Sequence, residues 1–306
     1  MRVVVAGLGV QGEKRRRFAG SDYVSSADPV NKAADYRSVK DVPLDIYDAV
    51  LACVPDEPKL ELLRYLVECG KHVLVEKPLW APDAADIRNL EALARRKGVV
   101  VYTAYNHRFE PHYFRMRDVV ASGVLGRIYS CRMFYGNGTA RLVRESVWRD
   151  QGAGVLPDLG SHLLDTIRFW FGESGHHFRL VSAHAFENRS PDHVIIACED
   201  GSPRIELEMT LCMWRNHFTC DILAEKGSAH IESLCKWGPT TFTHRTRVLP
   251  SGRPHEEAET LAQEDPTWAL EYAHFKRLCE ERTPTDLSND LWLHDTLSRL
   301  SKEAVS

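Results

Sequence analysis

The chain has 306 residues, long for one core and comfortable for two domains. Hydrophobic residues make up 43% and charged ones 27%, an ordinary globular composition, and the formal net charge of -4 argues against a nucleic-acid binder. No apolar run is long enough for a bilayer, Met1 leads straight into a predicted strand so that no signal peptide is expected, and the eight scattered cysteines form no Cys-x-x-Cys pair. A cytoplasmic protein with reduced thiols, no bound metal and no membrane partner is the expectation.

Arg2 to Ala6 is a β-branched apolar run, followed at once by Gly7-Leu8-Gly9-Val10-Gln11-Gly12. Gly-x-Gly-x-x-Gly between a predicted strand and a helix is the context in which this pattern points to a dinucleotide. The first glycine permits a tight turn, the second lets the backbone approach a pyrophosphate, and the third lets helix and strand pack closely. The helix amino terminus at Val10 and Gln11 then offers N–H groups to the phosphates. Tyr23 to Asp28 reads as a second strand ending in an acid. Asp28 falls about 20 residues on, the spacing of a ribose-binding carboxylate, which favours NAD over NADP. The alternative is an aspartate capping the turn at Pro29. Lys14, Arg15, Arg16 and Arg17 read as the solvated face of the first helix, with a 2′-phosphate contact, and so NADP, left open.

Tyr47 to Val54 reads as a third strand, closing in Cys53-Val54-Pro55, and Leu60 to Cys69 as a helix capped by Gly70. The next strand starts at His72 and ends in Glu76-Lys77-Pro78, because a proline does not continue a central strand. Lys77 is thus placed at the carboxyl edge of a sheet, where open α/β sheets bind ligands. Taken alone, such a tripeptide is a surface lysine before a turn. Asp83 to Arg96 is amphipathic, and Val99 to Tyr102 is a strand that runs into Tyr105-Asn106-His107-Arg108-Phe109. The β-α-β-α alternation with near-continuous apolar strands indicates a parallel sheet covered on both faces.

Farther on, Asp158 and His162 are four apart and on a helix share one face, beside an inward stripe of Leu159, Leu163, Ile167 and Trp170. Asp165, three beyond His162, is placed to orient the imidazole. Period-two runs at Leu180–Phe186, His193–Cys198, Ile205–Met213 and Phe218–Ala224 read as a largely antiparallel sheet. The polar stretch from Arg245 to Gln263 reads as a loop or hairpin tip, and helices at Trp268–Cys279 and Leu291–Lys302 close the chain.

Four pieces carry a resemblance: Gly7 to Gly12, Glu76-Lys77-Pro78, Asn106-His107-Arg108-Phe109, and Gly152 to Asp165. In this order and spacing they resemble the glucose–fructose oxidoreductase, inositol dehydrogenase and rhizopine-catabolism (Gfo/Idh/MocA) family. The resemblance implies a Rossmann domain over 1–120, then an α/β domain over 121–306 whose open sheet mediates homodimer or tetramer contacts. It implies cofactor contacts from Gly7, Gly9, Val10, Gln11, Gly12, Asp28, Cys53, Pro55, Glu76, Lys77 and Asn106. Substrate contacts are implied for Lys77, Arg108, Trp148, Arg149, Asp158 and His162, with a cis peptide before Pro78.

The implied reaction is NAD-dependent oxidation of a secondary alcohol on a sugar, sugar nucleotide or cyclitol, or the reverse. In it His162 is the base, Lys77 stabilises the developing alkoxide, and Asp158 holds a neighbouring hydroxyl, with the His162 helix across a cleft from Lys77. Two departures stand out: Ala153 replaces a usual glycine, and Pro157 directly precedes Asp158. The alternatives are a sugar-responsive binding or regulatory protein on the same fold, or a redox-neutral NAD-dependent glycosidase. Retention of Lys77, Asp158 and His162 speaks against a pure binder.

Overall fold

The computed structural model describes residues 1–146, 149–173 and 175–305. They form two compact units, Met1–Asn106 with Thr267–His294, and His107–Pro266 with the chain from Asp295 onward. In the first unit, β1 (Val3–Ala6), β2 (Tyr23–Ala27), β3 (Ala49–Ala52), β4 (His72–Glu76) and β5 (Val101–Ala104) form a parallel sheet in the order β2-β1-β3-β4-β5. Helices α1 (Val10–Ala19), α2 (Asp56–Glu68) and α3 (Ala84–Lys97) connect them. Successive strand residues point to opposite faces, so one apolar run feeds two cores. Val4, Val50 and Val73 join Leu63 and Leu66 of α2 and Leu90 of α3 in one core. Val3, Leu51 and Leu74 join Ala19 of α1, together with Tyr272 and Phe275, in the other.

The second unit begins with α4 (Pro111–Ser122), β6 (Ile128–Gly136) and α5 (Ala140–Arg144). A π-helical turn (Leu156–Gly160) then leads directly into α6 (Ser161–Phe171). Seven strands follow: β7 (Arg179–His184), β8 (His193–Cys198), β9 (Arg204–Thr210), β10 (His217–Ala224), β11 (Gly227–Glu232), β12 (Thr240–Val248) and β13 (Gly252–Leu261). With β6 they form an eight-stranded sheet in the order β13-β12-β11-β10-β6-β9-β8-β7, antiparallel except for the β6–β9 pair. Helix α7 (Thr267–Glu280) belongs to the first unit, and α8 (Ser288–Val305) is divided after His294.

Three features differ from the sequence expectation. The units change at residue 106, not near 120, because α4 packs within the second unit: Trp170 Nε1 donates to the Tyr113 carbonyl at 3.0 Å. Residues 267–294 return to the first unit, where Tyr272 and Phe275 complete a sheet face. The second difference is β6, absent from the predicted strands yet central in the sheet, burying Cys131, Met133 and Tyr135 on alternate positions. The third is the extent of pairing in the polar stretch after Arg245: the hairpin reading holds, but the stretch belongs to a long β12–β13 hairpin paired from Thr240↔Leu261 to Thr246↔His255 and is not a tip alone. Strand β13 is exposed along almost its whole length, so it carries no apolar signal and is held by its ladder and by Arg245–Glu256 at 2.6 Å. All eight cysteines are free thiols, and no described helix is long and apolar enough to cross a membrane.

Candidate active site

Gly7 turns the chain out of β1 with φ +87°, and a Cβ there would lie 2.4 Å from the Cys53 carbonyl oxygen. A Cβ on Gly12 would lie 1.8 Å from the Gly7 carbonyl oxygen, closer than any side chain allows. Gly9 differs, because nothing lies within 4 Å of where its Cβ would be. The protein leaves that space open directly before a helix whose N-cap, Gly9, supplies no side-chain acceptor. Val10 and Gln11 are exposed there, so the first-turn N–H groups and the positive end of the dipole suit a phosphate. The loop therefore fits a dinucleotide pyrophosphate.

Asp28 follows β2 and braces this loop. Its Oδ2 accepts the Leu8 N–H at 2.7 Å, and its Oδ1 accepts those of Val30 and Asn31 at 2.8 and 2.7 Å. Burial pulls the carboxyl upward, but the N–H groups of Asn31, Leu8 and Val30 outweigh it and hold it below its ordinary value. The turn-capping expectation thus holds, on a half-buried carboxylate that lies beside the glycine loop.

Arg15 corrects the expectation of a uniformly solvated basic face. It is 2% exposed, donating from Nε to Glu76 at 2.7 Å and from Nη1 to Glu271 at 2.6 Å, with its guanidinium 4.4 Å from the Trp268 ring centre. Burial would lower its pKa, yet Glu271 and Glu76 raise it further and keep it charged. Arg16 and Arg17 are exposed as predicted. Glu76, expected at the cofactor, gives one oxygen to Arg15, and the Cys53 thiol lies 3.9 Å from that same oxygen. Burial pushes this thiol well above its ordinary value.

Lys59 went unnoticed in the sequence, where its i,i+3 spacing from Asp56 reads as a surface pair. It is 2% exposed and also donates to the Glu76 carbonyl at 3.3 Å and the Pro78 carbonyl at 3.1 Å. One buried ammonium thus holds the carbonyls on both sides of half-buried Lys77, whose peptide bond to Pro78 is cis. Pro55 is exposed as the N-cap of α2, and Asn106 is buried, donating to Thr267 Oγ1 at 2.9 Å.

In the second unit three elements gather around the His107–His162 pair, His162 standing at the start of α6. The His107 ring, from the 3-10 turn Asn106–Phe109, stacks on it with centroids 3.9 Å apart and planes 16° from parallel. Tyr135 of β6 lies at 6.3 Å from His162 and 5.5 Å from His107. Lys236, in the 3-10 turn Cys235–Trp237, donates to Tyr135 Oη at 3.0 Å and sits 3.1 Å from His107 Nε2. Burial pulls the Lys236 amine down to about 8, while Glu110, Asp265 and Asp158 favour its charged form. Burial likewise pushes Glu110 up to about 7.

Asp158 and His162 do not sit on one continuous α-helix: Asp158 lies in the π-helical turn, where Pro157 interrupts the usual start, and His162 in α6. Arg149 Nη2 reaches Asp158 Oδ2 at 3.5 Å. Asp165, expected to orient the imidazole, takes Arg108 through both oxygens at 2.5–3.1 Å. Leu159, Leu163, Ile167 and Trp170 are buried as the stripe predicted. Trp148 lies outside the described residues. Neither Tyr135 nor Lys236 was singled out in the sequence, and no local signal marks Cys235-Lys236-Trp237.

A sequence profile described as an oxidoreductase family with an NAD-binding Rossmann fold matches residues 1–105, and one described as a GFO/IDH/MocA C-terminal domain matches 113–230. The chain is 37% identical over 200 residues to trans-1,2-dihydrobenzene-1,2-diol dehydrogenase of Bos taurus, covering 59% of this chain and 54% of that one. It is 31% identical over 148 residues to levoglucosan dehydrogenase of Pseudarthrobacter phenanthrenivorans, covering 47% and 37%. Matches to the most similar curated relatives span between 34% and 58% of their lengths. A solved structure of levoglucosan dehydrogenase with NADH and L-sorbose shares the fold, with a TM-score of 0.83 at 16% identity over 100% of this chain and 97% of that one.

Proposed function

We propose a dehydrogenase activity for this chain, which belongs to the Gfo/Idh/MocA family of NAD-binding oxidoreductases. The reaction is hydride transfer between NAD and a secondary alcohol or ketone of a sugar, sugar nucleotide or cyclitol. The observation that carries it is the glycine loop, in which Gly7 and Gly12 have no room for a Cβ and Gly9 has all of it. When bound, the nicotinamide supplies the hydride acceptor. Lys77, its backbone held by Lys59, donates to the substrate oxygen and stabilises alkoxide charge as it develops. His162 accepts the hydroxyl proton at a ring nitrogen, and Asp158 accepts a hydrogen bond from a neighbouring hydroxyl. Family members with sugar substrates and one named for a cyclic diol support the alcohol class.

The test is a panel of free sugars, cyclitols, nucleotide-linked sugars and cyclic diols, followed by absorbance of the reduced nicotinamide, in wild type and Lys77→Met. Methionine keeps the length of lysine without its donors. NADH should accumulate with at least one class, and the folded variant should lose about 10²–10³ in rate with NAD affinity intact. No accumulation with any alcohol, as for a binder or a redox-neutral glycosidase, rejects the activity. Near-normal turnover of Lys77→Met rejects the assigned role.

A further inference from the structure

Lys236 is not accounted for by the proposed chemistry, yet it lies one side chain away from His162. Its Nζ is 3.1 Å from His107 Nε2, and His107 stacks on His162 at 3.9 Å. An ammonium has donors only, so this bond requires a lone pair on Nε2 and therefore a neutral His107. A proton on either stacked ring would place like charges one ring apart, with the ammonium beyond, and each opposes the next. The surroundings keep the ammonium in place. The Trp237 and Tyr135 ring centres lie 4.5 and 5.3 Å from Nζ, where their faces attract a cation. Glu110 beside the His107 turn, Asp158 in the π-helical turn and Asp265 ahead of α7 add negative charge, while burial works against it. On the His162 side, the carboxylate of its own helix, Asp165, is engaged by Arg108.

We propose that Lys236 is the positioning residue that keeps the His107–His162 stack neutral, so that His162 presents a lone pair at physiological pH. The inference rests on the dehydrogenase reading only for the use made of that lone pair. Because Lys236 is pulled down to about 8, it stays mostly charged through the neutral range in which the rings would otherwise take up protons.

The experiment titrates the histidines of the full chain by nitrogen-15 NMR, assigning the two rings with His107→Gln and His162→Gln. Lys236→Met removes charge and hydrogen bonds. Lys236→Gln removes the charge but keeps a donor, and serves if the first variant does not fold. Lys236→Arg restores the charge. In the Met and Gln variants both rings should protonate at a pH higher by roughly one unit. Lys236→Arg should return the midpoints to wild type, and the acid limb of the kcat/KM profile should move in the same direction. Unchanged midpoints in a folded Met or Gln variant, or no recovery with arginine, overturn the proposal. Absence of turnover counts against the dehydrogenase reading and leaves the ring titration to decide this one.

Discussion

Arg15→Met tests whether a buried guanidinium supports the segment carrying Lys77. The side chain is 2% exposed, and it bonds Glu76 at 2.7 Å and Glu271 at 2.6 Å, the latter carboxylate being 0% exposed. Methionine fills much of the same space beside Trp268 but leaves two carboxylates without their cation. Removing one partner of a buried ion pair costs about 3–5 kcal/mol, chiefly because the charge left behind stays dehydrated. Glu76, at 17% exposure, recovers some hydration, so the loss should fall within that range and not at twice it. Arg16→Met, one residue on, is the control. Its side chain is 44% exposed and pairs on the surface with Glu13, so its cost should stay within about 0.5 kcal/mol. Urea unfolding, followed by far-UV circular dichroism and tryptophan fluorescence, measures both. Adding Glu271→Gln to Arg15→Met should recover part of the loss, since one buried charge is then gone. A cost below about 1 kcal/mol for Arg15→Met, or one equal to that of Arg16→Met, would refute the buried-cation argument.

The glycine loop predicts opposite phenotypes for two alanines. Gly12→Ala should lower the melting temperature, because its Cβ has no space, whereas Gly9→Ala should melt as wild type but bind NAD at least about tenfold more weakly, by fluorescence titration. Asp28→Ala should narrow the preference for NAD over NADP, and a clear NADP preference in the wild type would reject the ribose assignment. It should also destabilise the fold in a pH-dependent way. The folded-state carboxyl is held below its unfolded value of about 3.9, so its contribution is present above that pH and is lost as pH falls through the folded value. The stability gap between wild type and Asp28→Ala, measured by urea unfolding from pH 7 to pH 3, should therefore shrink toward the acid end.

The sequence alone was enough to read a strand, a glycine turn and a helix at residues 2–19, a parallel sheet, and a lysine at the end of β4. It also revealed the buried stripe of Leu159, Leu163, Ile167 and Trp170. These are local properties: backbone conformation at a glycine and the two- or 3.6-residue period of an apolar face are written in consecutive residues. Strand β13 was not legible because neither of its faces is buried, and β6 because Cys131, Met133 and Tyr135 make a weak alternation. The cations were least legible of all. Arg15 and Arg16 are indistinguishable in a run of four basic residues, yet one is buried and the other exposed. Arg15 meets Glu76 across 61 positions and Glu271 across 256, and Lys236 meets His107 across 129. A charge is buried only where partners arrive to offset its lost hydration, and in these cases only the tertiary structure brings them together.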